Sequence, residues 1–108
     1  MHKEFYPVAQ IGDVPPGTGK AIQFGLQNDC VLFCTEANEH FVTGRLCPHQ
    51  NEPLDCARLE GREVICRRHH LRFDLASGDC TNAGGYGLRT LEIRIDGNTI
   101  FVGDWVDD

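Results

Sequence analysis

Cys47-Pro48-His49 and Cys66-Arg67-Arg68-His69, separated by sixteen residues, constrain this chain more than any other feature. A Cys-x-His and a Cys-x-x-His are each short enough for one tight loop to aim both side chains at a single point. Two thiolates and two imidazoles suit either tetrahedral zinc or an iron–sulfur cluster in which histidine replaces cysteine on one of two irons. Zinc fingers usually pair cysteine with a nearby cysteine and histidine with a nearby histidine. Here each half is mixed, which lets two loops grip a dinuclear cluster from opposite sides.

The flanking residues read as short strands. Residues 4–10 form a first strand, and the Gly- and Pro-rich stretch 12–19 is a turn. Lys20 to Leu26 and the apolar run Cys30 to Thr35 make a hairpin, with Gln27-Asn28-Asp29 as its turn. After a turn at 36–39, His40 to Thr43 feeds the first Cys-x-His. The segment 50–62 has no clean period and reads as loop, Glu63 to Cys66 enters the second ligand run, and Leu71 to Leu75 leaves it with alternation. Residues 81–87 are the most flexible stretch by composition. From Leu88 to Ile95 one strand is expected, with Leu91, Ile93 and Ile95 inward, and Asp96-Gly97-Asn98 turns it into a last strand from Thr99 to Gly103. Short strands punctuated by turns indicate an all-β domain.

The 108 residues (12.1 kDa) are read as one domain, 1–108, able to bury roughly two-thirds of the surface its unfolded chain exposes. Six cysteines raise the possibility of a disulfide scaffold, but the first residues lack an apolar run suited to export, so a cytoplasmic location is expected. No stretch approaches 18 consecutive apolar residues, so no membrane span is expected. The net charge of −6 speaks against nucleic acid as a partner, because phosphate contacts need basic surface. The charge is uneven: residues 45–72 hold six arginines against four acids, whereas the rest holds four bases against twelve acids. Cys30, Cys34, Cys56 and Cys80 lack partners at metal spacing and are read as structural. Trp105 is read as a packing anchor.

At the two ligand runs the chain resembles the Rieske [2Fe–2S] proteins, whose signature is C-x-H, about sixteen residues, then C-x-x-H. The likeness continues into Arg72-Phe73-Asp74, which resembles the strand leaving that family's second cluster loop. The resemblance implies an antiparallel β-sandwich with a small cluster-binding lobe at about 45–72. It implies one [2Fe–2S] cluster, with Cys47 and Cys66 on one iron and His49 and His69 on the other. High-potential members carry a disulfide between the ligand loops and Ser and Tyr hydroxyls near the cluster. The corresponding positions here are Glu52, Arg68, Leu71 and Phe73, none of which can act so. The potential is therefore expected near the low end of the Rieske range of roughly −150 to +300 mV. Family members place a proline-bearing third loop over the cluster, where residues 81–87 of this chain have no proline.

The low-potential class resembled is the ferredoxin component of multicomponent aromatic-ring-hydroxylating dioxygenases. That implies a monomeric one-electron carrier, not itself an enzyme, between a flavin-dependent ferredoxin reductase and a terminal oxygenase. The alternatives are a small subunit of another oxidoreductase, such as nitrite reductase, or a zinc-stabilised interaction module. Docking is expected through the histidine side of the cluster, around Pro48, Gln50, Arg67, Arg68 and His70.

Overall fold

Residues 30–34 (Cys-Val-Leu-Phe-Cys) carry no polar side chain to turn toward water, so a strand made of them must be covered on both faces. The computed structural model, which describes residues 2–25, 27–49, 51–68 and 70–106, builds the fold around that strand. Leu26, Gln50 and His69 lie outside the described residues.

Ten strands are present among the described residues, and no helix. In order they are β1 (His2–Gln10), β2 (Thr18–Phe24), β3 (Gln27–Cys34), β4 (His40–Gly44), β5 (Arg58–Glu60), β6 (Glu63–Ile65), β7 (Arg72–Asp74), β8 (Thr90–Leu91), β9 (Ile93–Asp96) and β10 (Thr99–Val106). They make three antiparallel sheets, ordered β1-β10-β9, β2-β3-β4-β8 and β5-β6-β7. Pro7 sits in β1, at the edge of its sheet, where its missing N–H costs no ladder bond between central strands.

The first two sheets form the sandwich. Cys30, Leu32 and Cys34 of β3 meet Ile22, Phe24, Val42, Ile100 and Val102 in one core. The opposite face of β3 sends Val31 and Phe33 into a second core with Leu54, Val64, Phe73, Leu75, Leu88 and both motif cysteines. Phe33 needs room on its own sheet as well, and Gly19 across the ladder supplies it: a Cβ there would lie 2.8 Å from the Phe33 ring. The small sheet β5-β6-β7 is thus fastened to the back of the sandwich.

Several expectations require correction. The β2–β3 hairpin turns at Gly25, with φ +54°, and Gln27 to Asp29 already belong to β3. Phe24 faces Gln27 across the ladder, and the Gln27 amide donates to the Asp104 carboxylate of β10 at 3.2 and 3.3 Å, which holds those polar residues in the strand. Residues 58–60, read as loop, form β5, which pairs with β6 around Gly61 (φ +57°). The expected strand from Leu88 to Ile95 is two strands in different sheets, because the chain turns the sandwich corner at Glu92. Leu91 and Ile93 pack against the sandwich core, but Ile95 falls at the rim and is half exposed. Trp105 is exposed too, with the Lys3 ammonium 4.8 Å from its ring.

The lobe is tied together by one guanidinium. Arg72 of β7 donates from Nε to Glu63 at 2.8 Å and from Nη2 to Glu60 at 2.9 Å, bridging all three lobe strands. Glu60 is held below the usual glutamate value of 4.5 by Arg72, and Glu63 is held below it by the Thr81 hydroxyl and Arg72. Lys3 does the same to Glu92 in the sandwich. Carboxylates held low stabilise the fold above their unfolded pKa and lose that contribution as pH falls through the folded one. Thermal stability is therefore expected to decline as pH is lowered below about 4.5, and Arg72→Gln should flatten that decline when melting temperatures are recorded from pH 6 to 3.

Gly78 offers a sharper test. It has φ +82°, donates to the Asp74 carbonyl, and accepts from Leu88 N–H at 2.7 Å; a Cβ on it would overlap the Leu88 carbonyl oxygen. Gly61 is also left-handed but has open space around its Cα. Gly61→Ala should cost about 1–2 kcal/mol, and Gly78→Ala about 4 kcal/mol or more, as measured by urea unfolding.

Candidate metal centre

Three loops meet at one end of the lobe. The first leaves β4 and is closed at its base by the Leu46–Pro53 bridge and by Leu54 N–H donating to the Arg45 carbonyl at 2.8 Å. Within it, Cys47 N–H donates to the Glu52 carbonyl (2.9 Å) and Asn51 N–H to the Cys47 carbonyl (2.7 Å). The loop can fold back so tightly because Asn51 takes φ +57°, a conformation asparagine tolerates better than most. Arg45 anchors its base, donating to Asp55 at 3.1 Å.

The second loop runs from β6 to β7 and is closed by Cys66 N–H donating to the Leu71 carbonyl at 2.8 Å, with His70 at φ +54° completing the reversal. The third, after β7, is pinned to the second by Asn82, whose amide oxygen accepts Arg72 N–H (3.0 Å) and whose nitrogen donates to the His70 carbonyl (3.0 Å). It closes on the first loop by an edge-to-face contact between the Tyr86 and His49 rings, centroids 4.9 Å apart.

These loops bring Cys47 and Cys66, nineteen positions apart, together in one apolar core, exposed by 0% and 1% respectively. Burial pushes the Cys66 thiol up; the Arg68 main-chain N–H opposes this, and the adjoining Cys47 thiol adds to it. His49, on the first loop, is half-buried. Among the described residues no three His, Cys, Asp or Glu side chains converge on one point. A dinuclear cluster takes its thiolates and imidazoles on different irons, and two soft, water-excluded thiols beside each other suit the thiolate-bound iron of such a cluster.

Of the expected docking residues, Pro48, Arg67, Arg68 and His70 are exposed, and Gln50 lies outside the described residues. Arg68 is engaged within the molecule, its Nε 3.3 Å from the Glu52 carboxylate. Arg67 joins no carboxylate among the described residues. Asn82 and Tyr86 were not legible as site residues from sequence: each acts on a loop far from its own position, and the glycines around them suggested only flexibility.

A family model, the Rieske [2Fe–2S] domain, matches residues 4–90. The chain is 32% identical over 98 residues to the ferredoxin component of a 2,4-dinitrotoluene dioxygenase system from Burkholderia sp. (strain RASC), spanning 89% of this chain and 91% of that one. Its fold matches a ferredoxin of Sphingomonas yanoikuyae B1, with TM-score 0.83 at 22% identity over 94% of this chain and 99% of the other. It equally matches a chain assigned as the NADH-dependent nitrite reductase small subunit of Mycobacterium tuberculosis, with TM-score 0.86 at 14% identity over 99% and 100%. At those identities the two structures speak to the fold alone. The family match, the curated relative and the paired buried thiols agree: this chain belongs to the Rieske [2Fe–2S] family and takes a single cluster of that type.

Proposed function

We propose that the protein, one domain over 1–108, is a Rieske ferredoxin that carries single electrons from a flavin-dependent ferredoxin reductase to a terminal aromatic-ring oxygenase. The observation that carries this reading is the meeting of the Cys47 and Cys66 loops, in a chain whose curated relative is a dioxygenase ferredoxin component. Cys47 and Cys66 are assigned to one iron, and His49 and His69 to the other. When bound, the cluster supplies one-electron chemistry at a potential set by its ligands.

The protein's own residues do the rest. The core around the thiols, with Leu54, Leu71, Phe73 and Leu88, keeps water from the cysteine side. His49 is only partly buried, unlike Cys47 and Cys66, and the histidine side is assigned as the edge through which electrons enter and leave. Tyr86 flanks that edge without sealing it, being 38% exposed itself. In this reading the protein moves electrons, and chemistry on an organic substrate belongs to the partner.

A second reading is the small subunit of a nitrite reductase, with which this chain shares its fold. Reduction assays separate the two: the ferredoxin reading requires that the protein accept electrons from an oxygenase-system reductase and pass them on without joining a larger enzyme stably. A zinc module would be colourless and free of sulfide.

The purified protein should be brown-red, with iron and acid-labile sulfide in equal amounts and a potential in the lower part of the range of roughly −150 to +300 mV. His49→Cys, where the cluster assembles, should lower that potential, since a thiolate adds negative charge beside iron. An unchanged or higher potential would exclude His49 as a ligand. Arg67→Gln should leave the visible spectrum unchanged while slowing electron transfer to the oxygenase about fivefold at low ionic strength, and stopped-flow traces at rising salt should show the difference shrinking as screening removes the wild-type attraction.

A further inference from the structure

All six cysteines are free thiols, so no covalent link joins the two ligand loops. Besides the adjoining cysteine thiols, an ion pair joins them directly: Arg68 Nε of the second loop lies 3.3 Å from Glu52 Oε2 of the first. The main chains of these two residues hold the cysteines. Glu52 accepts Cys47 N–H at its carbonyl, and the Arg68 N–H faces the Cys66 sulfur. Each partner is thus bonded through its backbone to the cysteine of its own loop and through its side chain to the opposite loop.

We propose that Glu52 and Arg68 form a latch that positions the two cysteine loops against each other and slows loss of the cluster. This rests on the reading of Cys47 and Cys66 as ligands. When the pair parts, the links that remain between the two loops among the described residues are the adjoining Cys47 and Cys66 thiols and the third loop, through Asn82 and Tyr86. The pair is unequally exposed, with the Glu52 side chain at 26% and that of Arg68 at 64%. A partly shielded carboxylate makes the attraction effective in dilute buffer, and the exposed guanidinium leaves it open to screening. Retention of the cluster should then depend on salt. The pairing also leaves Arg67 as the second-loop arginine whose charge is not already answered within the chain, among the described residues.

The test uses the full chain with its cluster assembled: wild type, Glu52→Gln, Arg68→Gln, the double Gln variant, and the exchange Glu52→Arg with Arg68→Glu. Bleaching of the visible absorbance in excess iron chelator is followed anaerobically at about 0.01 M and about 1 M salt, where screening lengths are roughly 30 and 3 Å. In dilute salt each single variant should bleach faster, by up to about fivefold, the range that surface ion pairs reach. The double variant should bleach no faster than either single one, and the exchange should recover toward wild type. At high salt all should converge. Single effects that multiply in the double variant, or bleaching that none of the substitutions changes, would overturn the latch. The double-variant comparison holds even where the exchange fails to fold. A wild-type chain that assembles no iron–sulfur cluster at all would instead overturn the underlying ligand reading.

Discussion

Burial of β3 on both faces is the constraint on which the rest of this molecule depends. Cys30, Leu32 and Cys34 fill the sandwich, and Val31 and Phe33, on the alternate positions, fill the core beneath the cluster lobe. A strand of this kind cannot be left half covered, since Phe33 alone would expose enough apolar surface to cost about 2 kcal/mol or more. The sandwich and the lobe are therefore not two units that happen to touch. They share one strand, and the site inherits the rigidity of that strand through Phe33, Phe73 and the two cysteines packed in the same core.

The site itself is built as a ring of loops, none of which is self-sufficient. The first meets the second through Glu52 and Arg68, the second meets the third through Asn82, and the third returns to the first through Tyr86. Each link is weak by itself, a surface ion pair, a side-chain amide and an aromatic edge, of about 1 kcal/mol or less. Closure of the ring is what allows weak links to hold positions, because parting any one of them leaves the other two in place. Residues 81–87 lack proline and hold three glycines, yet Asn82 and Tyr86 anchor both ends of that loop. Hydrogen bonding and ring contact replace the stiffness that a proline would supply.

Electrostatics follows the same division. The lobe concentrates arginine, but much of that charge is answered at short range: Arg72 by Glu60 and Glu63, Arg45 by Asp55, Arg68 by Glu52. A count of charges along the chain makes the cluster end look strongly basic, and the structure reduces this to a few exposed groups. For an electron carrier that must leave its partner as readily as it arrives, few unanswered charges favour fast, brief encounters over tight complexes.

Sequence alone determined that cysteine and histidine occur in two mixed runs at ligand spacing, the all-β character, and the positions of β1, β4 and β10 within a few residues. These are legible because spacing, alternation and turn chemistry are local properties of a chain. Only the tertiary structure decided that Gln27 to Asp29 extend β3, since their anchor, Asp104, lies 77 positions away. The same holds for the split of Leu88 to Ile95 between two sheets, which comes from a corner of the sandwich and not from any break in alternation. In the sequence Glu52 stood out only as a residue that cannot serve the high-potential pattern, and Arg68 as that and as a docking charge. That they meet, and that Tyr86 reaches His49, depends on loops brought together by β3 and the two cores, and no periodicity in the chain encodes such contacts.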